Sequence, residues 1–249
     1  MKVVTLITGA GSGIGRACAR ALAAPESALV LTTRENQAGL AEVSEVARAR
    51  GAEVSSLLLD LSIAGAGTEL IAHTKRAFGR VDHIVSNAGK AQKKCLTETT
   101  NDDLEAAIAL NTRPFLELVR AARADLLASS CGRVVAISSF VTQLYGVNNT
   151  LFPATAASKS ALVALAKSLA FEFAATGVTV NCVSPGYTEK AAGRGTLKPA
   201  AWQNAKDITP NGRLATADDI AAAVTFFLSD GARHITGQVL NVDGGLSLR

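Results

Sequence analysis

Seven short runs of aliphatic and β-branched residues, separated by stretches with helical apolar spacing, predict an α/β protein. They imply a doubly wound parallel β-sheet with helices on both faces, in a single domain. Composition agrees: hydrophobic residues make up 48% of the 249 positions but aromatics only 4%, so Ala, Val, Leu and Ile must build the core. That suits a sheet sandwiched between alanine-rich helices. The third observation is local. Val3-Val4-Thr5-Leu6-Ile7 breaks into Thr8-Gly9-Ala10-Gly11-Ser12-Gly13-Ile14-Gly15 before the helical segment 16–22, which reads as strand, tight turn, helix.

That turn points to a nucleotide. Glycine lets another molecule approach the main chain closely. The first N–H groups of the helix it opens are unpaired and carry roughly half a positive charge, which suits a pyrophosphate. The widespread G-x-G-x-x-G spacing fails, because its third glycine would fall on Ile14 or Arg16. Gly9-x-x-x-Gly13-x-Gly15 does fit, and it resembles the dinucleotide loop of the short-chain dehydrogenase/reductase family. The resemblance implies a Rossmann-like fold and assigns Gly9, Ser12, Gly13, Ile14 and Gly15 to the cofactor. An ordinary tight turn is the plainer alternative.

Residues 28–33 read as the second strand. Dinucleotide folds often place an acid about 20 residues past the glycines, on the adenosine ribose 2′-hydroxyl of NAD. Here Thr33 stands in that place and Arg34 follows. A carboxylate would repel a 2′-phosphate, whereas a hydroxyl beside a guanidinium receives one, so NADP(H) is expected in preference to NAD(H). A solvated surface charge is the alternative for Arg34. A helix over 37–50 ends at Gly51. A third strand over 53–60 ends in Asp60-Leu61, a pair the family places by the adenine; a helix cap, which Ser62 could equally supply, is the plainer reading.

A helix over 64–79 leads to the fourth strand, 81–86, and then to Asn87-Ala88-Gly89. That triplet matches the family's turn supporting the sheet and the cofactor ribose. Residues 101–128 read as one long helix with Asn111 inside it, where asparagine is a mediocre helix former. The family places an asparagine there, bending the helix and holding a water in a proton relay; an exposed mid-helix residue is the alternative. The fifth strand, 133–139, ends in two serines at the carboxyl edge where such sheets bind ligands. The resemblance assigns Ser139 to the substrate oxygen.

One position departs from the family. In the helix from Pro153 to Gly177, Lys159 matches the lysine that holds the nicotinamide ribose and lowers the pKa of a tyrosine one turn earlier. Residue 155 is threonine, and no Tyr-x-x-x-Lys occurs in the chain. A phenol near pKa 10 can be tuned towards neutrality by a nearby cation, whereas an aliphatic hydroxyl cannot serve as the acid for a ketone. Thr155 is left to bond the ribose or position a water. Tyr145, on a loop a few residues longer than the family norm, is the candidate stand-in donor, or else a wall of the substrate pocket. After the sixth strand, 178–184, Pro185-Gly186 opens the loop whose threonine bonds the nicotinamide carboxamide. Lysine (Lys190) occupies that place here, with Thr188 as the substitute.

Residues 187–213 read as a substrate lid, Thr216 as a helix cap, and the stretch Ile235 to Gly245 resembles the family's terminal strand, where subunits pack. A homo-oligomer, dimer or tetramer, follows from resemblance alone. Four scattered cysteines and three scattered histidines argue against disulfides and metal. A net charge of +4 without basic runs argues against nucleic acid, and no apolar run reaches bilayer length, so a soluble, cytoplasmic protein is expected. Lys90, Lys93, Lys94, Lys190, Arg194 and Lys198 fall in loops bordering the pocket; they either attract an anionic substrate or are solvated surface charges. Three functions stay open: an NADP(H)-dependent oxidoreductase interconverting a carbonyl and a secondary alcohol; a nucleotide-binding sensor, inactive partner subunit or scaffold; and non-redox catalysis.

Overall fold

The computed structural model describes residues 2–147, 150–189 and 199–248. Seven strands, β1 (Val3–Thr8), β2 (Ser27–Thr33), β3 (Glu53–Leu58), β4 (His83–Ser86), β5 (Arg133–Ile137), β6 (Thr179–Pro185) and β7 (Val239–Val242), form one parallel sheet in the order β3-β2-β1-β4-β5-β6-β7. The order reverses between β1 and β4. At such a switch point the connections leave in opposite directions and open a crevice at the strands' carboxyl ends.

Side chains alternate across each strand, which sorts the core into two layers. Leu6, Val30, Ile84, Val134 and Val180 face α3 (Ala66–Phe78), α5 (Arg113–Ala128) and α6 (Pro153–Phe173), packing on Leu70, Phe115, Leu118, Leu162 and Phe173. Ile7, Leu29, Leu31, Val85, Val135 and Val183 face the other way, onto α1 (Gly13–Leu22), α2 (Gln37–Ala49) and α8 (Ala217–Leu228). A third, smaller cluster joins Phe140, Val141 and Tyr187 to Ala205 of α7 (Pro199–Ile208), with the Phe140 and Tyr187 rings 4.7 Å apart. Among the described residues no helix is long and apolar enough to cross a membrane.

The expected single helix over 101–128 is two, α4 (Asn101–Asn111) and α5, broken at Thr112 with φ −121° and ψ −55°. Pro114, in the first turn of α5, is the cause. Its ring displaces the carbonyl four residues back, and it has no N–H to continue the ladder. The expected fifth strand stops at Ile137, leaving both serines beyond it. Neither Asp60 nor Ser62 caps the next helix: Asp60 Oδ1 accepts from Ser62 N and Oγ at 2.8 and 2.7 Å. Instead the Glu117 carboxylate, reaching from α5, accepts from Gly65 N and Gly67 N, both at 3.0 Å. Thr216 does cap α8 as expected. Of the lid segment 187–213, residues 190–198, with Lys190, Arg194 and Lys198, lie outside the described residues.

Candidate active site

The glycine turn is built from β1 into α1. Gly9 and Gly13 take positive φ, +67° and +53°, which side-chain-bearing residues avoid. A Cβ on Gly15 would sit 2.3 Å from Gly9 O and 2.6 Å from Asn87 Nδ2, so only glycine lets the helix start that close to the turn. At Gly13 the opposite holds: a Cβ would meet nothing within 4 Å, so open space lies at the helix N-terminus. Ser12, in the N-cap position, makes no side-chain capping bond there. The helix therefore presents its positive end to an open cleft.

That cleft, of about 400 Å³, is lined by Gly9, Ser12, Ile14, Thr33, Arg34, Asp60, Leu61, Asn87, Ala88 and Gly89, together with Glu35, Asn36 and Lys90. Ten of the residues expected to hold a cofactor thus meet in one crevice, at the sheet's switch point. Thr8 locks its floor: its hydroxyl oxygen accepts from Asn87 N and Ala88 N, both at 2.9 Å, and Asn87 Nδ2 donates to Thr8 O at 2.7 Å. Asn36 locks the wall by donating to Gly11 O at 2.7 Å. Thr8 and Asn36 went unassigned from sequence, because their partners lie 79 and 25 residues away. Gly11 also faces Thr33, whose hydroxyl would be 3.2 Å from a Cβ placed there.

The residue set fits a dinucleotide. Phosphate would meet the open helix N-terminus, and Thr33 and Arg34 line the same cleft as Asp60, whose pKa is held below the ordinary carboxylate value chiefly by its hydrogen bonds from Ser62. Arg34 makes an ion pair with Glu35 at 2.7 Å on the cleft rim.

At the inner end, two expected residues converge on Gly89: a Cβ there would lie 2.8 Å from Asn111 Oδ1 and 3.1 Å from Lys159 Nζ. Lys159 is buried and donates to Ile137 O at 2.7 Å. Burial pulls its pKa from 10.5 down to about 8, because a low-dielectric interior disfavours the ammonium. Asn111, 4% exposed rather than on the surface, accepts from Lys90 N at 2.9 Å and donates to Lys90 O at 3.2 Å and to Ser158 Oγ at 3.0 Å. The break at Thr112 turns this amide inward, and Thr112 Oγ1 pins the break by donating to Ser158 O at 2.7 Å.

Thr155 is also buried, and its hydroxyl oxygen accepts from Gln92 N at 2.9 Å. Ser158 Oγ donates to Thr155 O at 3.0 Å, joining Thr155 to Asn111 through a serine that sequence reasoning passed over. Ser139 is half-buried at the end of β5, its hydroxyl facing Val141 N at 3.5 Å. Tyr145 is set apart. It is 71% exposed, its hydroxyl donates to Thr142 O at 3.0 Å, and its ring walls a second cavity of about 200 Å³. That cavity is made by Phe140, Leu144, Val147, Leu151, Phe152 and neighbours. Pro185 and Gly186 are buried where β6 ends, Gly186 lying against Asp243, and Thr188 donates to Gly186 O at 3.1 Å. Of the rim lysines, Lys94 is bound to Asp103 at 2.7 Å.

A switch-point cleft that ends at Gly89, against a buried lysine and an asparagine at a helix break, defines a class. The chain belongs to the short-chain dehydrogenase/reductase family, oxidoreductases on a Rossmann-like fold. Residues 9–247 match the family profile described as enoyl-(acyl carrier protein) reductase. Among curated relatives, 3-oxoacyl-(acyl-carrier-protein) reductase FabG of Salmonella typhimurium is 33% identical over 243 residues, 98% of this chain and 96% of that protein. The BbsD subunit of (2S)-[(R)-hydroxy(phenyl)methyl]succinyl-CoA dehydrogenase from Thauera aromatica is 32% identical over 245 residues, with 98% and 96% covered. Among solved structures, acetoin dehydrogenase YohF from Salmonella typhimurium superposes with a TM-score of 0.89 at 28% identity, covering 100% of this chain and 97% of that one.

Proposed function

We propose that the protein is an NADP(H)-dependent oxidoreductase interconverting a carbonyl and a secondary alcohol through an atypical active site. The observation that carries this reading is continuity: the nucleotide cleft ends at Gly89, where Asn111 Oδ1 and Lys159 Nζ converge. When bound, the nicotinamide supplies or accepts the hydride. Lys159, protonated at neutral pH, orients the nicotinamide ribose, Asn111 holds a relay water, and Ser139 holds the substrate oxygen; Thr188 stands ready for the carboxamide. NADP(H) is favoured because Thr33-Arg34 replaces the acid that would repel a 2′-phosphate. Thr155, whose hydroxyl oxygen accepts from Gln92 N, positions a loop, and its aliphatic hydroxyl is too weak an acid to donate the proton. Tyr145 is the proposed stand-in donor, and to act it must leave Thr142 O. The apolar cavity directly after Ser139 favours a carbonyl carrying an apolar group over an anionic substrate. The protein works in the cytoplasm as a homo-oligomer.

A specific observation favours a second reading, nucleotide binding without turnover: Thr155 occupies the expected acid's place and is itself hydrogen-bonded to the main chain. Fluorescence titration with NADPH and NADH, followed by NADPH oxidation against a panel of apolar ketones, separates the two. Tight NADPH binding with turnover that Tyr145→Phe abolishes supports the oxidoreductase. Tight binding with no turnover, restored by Thr155→Tyr, supports the second reading; tighter binding of NADH refutes the cofactor assignment.

A further inference from the structure

Arg34 shares its cleft with another cation. Lys90 follows Asn87-Ala88-Gly89, and with Arg34 it lines both the nucleotide cleft and an adjoining cavity of about 350 Å³ beside α4. Two side chains that wall the same two neighbouring spaces stand around one volume. The main chain of Lys90 is held at both polar atoms by the Asn111 amide, at 2.9 and 3.2 Å, while its side chain is exposed. A clamped backbone with a free ammonium is a preorganised anion contact.

Charge bookkeeping at the cleft shows why a second cation matters. Glu35 and Asp60 line it too. The Arg34 guanidinium is paired with Glu35 at 2.7 Å, so a phosphate arriving there meets a carboxylate beside the guanidinium. Lys94, four residues further along the loop, is spent on Asp103, and Lys93 does not line the nucleotide cleft. Among the described residues no carboxylate pairs with Lys90, which leaves its charge available to a ligand.

We propose that Lys90 is the second cation for the cofactor's 2′-phosphate, acting with Arg34, and is thereby a specificity-determining residue. This rests on the NADP(H) reading above. The dianion sits between a guanidinium that reads it by paired N–H groups and an ammonium that acts as a point charge. Asn111, by gripping Lys90, ties cofactor selection to the reaction centre.

The test measures dissociation constants of NADPH, NADH, 2′,5′-ADP and 5′-ADP for the wild type, Lys90→Gln and Lys90→Arg. Because residue 90 is exposed, the variants fold, and matched thermal melts check this. Lys90→Gln is expected to weaken NADPH and 2′,5′-ADP by about tenfold, one charge-assisted contact, and to leave NADH and 5′-ADP within about twofold. Lys90→Arg is expected to keep most of the preference. Equal weakening of both pairs would place Lys90 at the shared pyrophosphate and overturn the proposal, as would no change in either. A wild type that binds NADH more tightly than NADPH would instead sink the underlying cofactor assignment, a failure visible before any variant is made.

Discussion

Lys159 offers a quantitative check on the buried end of the site. Holding its pKa at about 8 against an ordinary 10.5 costs about 3 kcal/mol of folding free energy wherever the amine is charged in both the native and unfolded chains. The sign follows from proton counting. Below pH 8 both states carry the proton and the whole cost is present. Between pH 8 and 10.5 the unfolded chain binds more protons than the native one, so stability contributed by this group rises with pH; above 10.5 the cost is gone. Lys159→Met keeps the length and removes the charge. Urea unfolding of both proteins from pH 7 to 10.5 should show the stability difference, wild type minus variant, rising by about 3 kcal/mol. Cys18, whose thiol burial pushes up to about 12, makes both proteins less stable above pH 9 and cancels in the difference; Cys182, raised likewise, lies in the field of Lys159, so both proteins carry Cys182→Ala to remove its contribution. A difference that stays flat across the range would refute the claim that the ammonium is desolvated.

Two further outcomes are expected. Gly15→Ala drives a methyl to 2.3 Å from Gly9 O, against backbone that cannot yield cheaply, so NADPH binding should vanish in a fluorescence titration and the melting temperature should fall; unchanged affinity would mean that the turn does not hold the phosphates. Thr155→Val leaves Gln92 N without its acceptor and should cost about 1–2 kcal/mol in urea unfolding, whereas Thr155→Ser should cost less than half of that. Equal losses would show that packing, and not the hydrogen bond, is what residue 155 provides.

Much of the molecule was legible in one dimension, for reasons of short range. The alternation of apolar runs and the glycine breaks are consequences of backbone sterics and side-chain period, so the seven strands, the parallel layering and the phosphate turn follow from neighbouring residues. The threonine at residue 155, four places before Lys159, was equally plain. Pro114 carried the signal that splits the long helix, yet the apolar pattern runs straight through it and hid the break. What only folding decided is which distant groups meet: Thr8 with Asn87, Asn36 with Gly11, Glu117 with the start of α3, Gln92 with Thr155, and Lys90 beside Arg34. No local pattern encodes those pairs, because hydrogen bonds and charges act through space across chain separations that periodicity cannot see, and the Thr155 oxygen accepts from a loop 63 residues away.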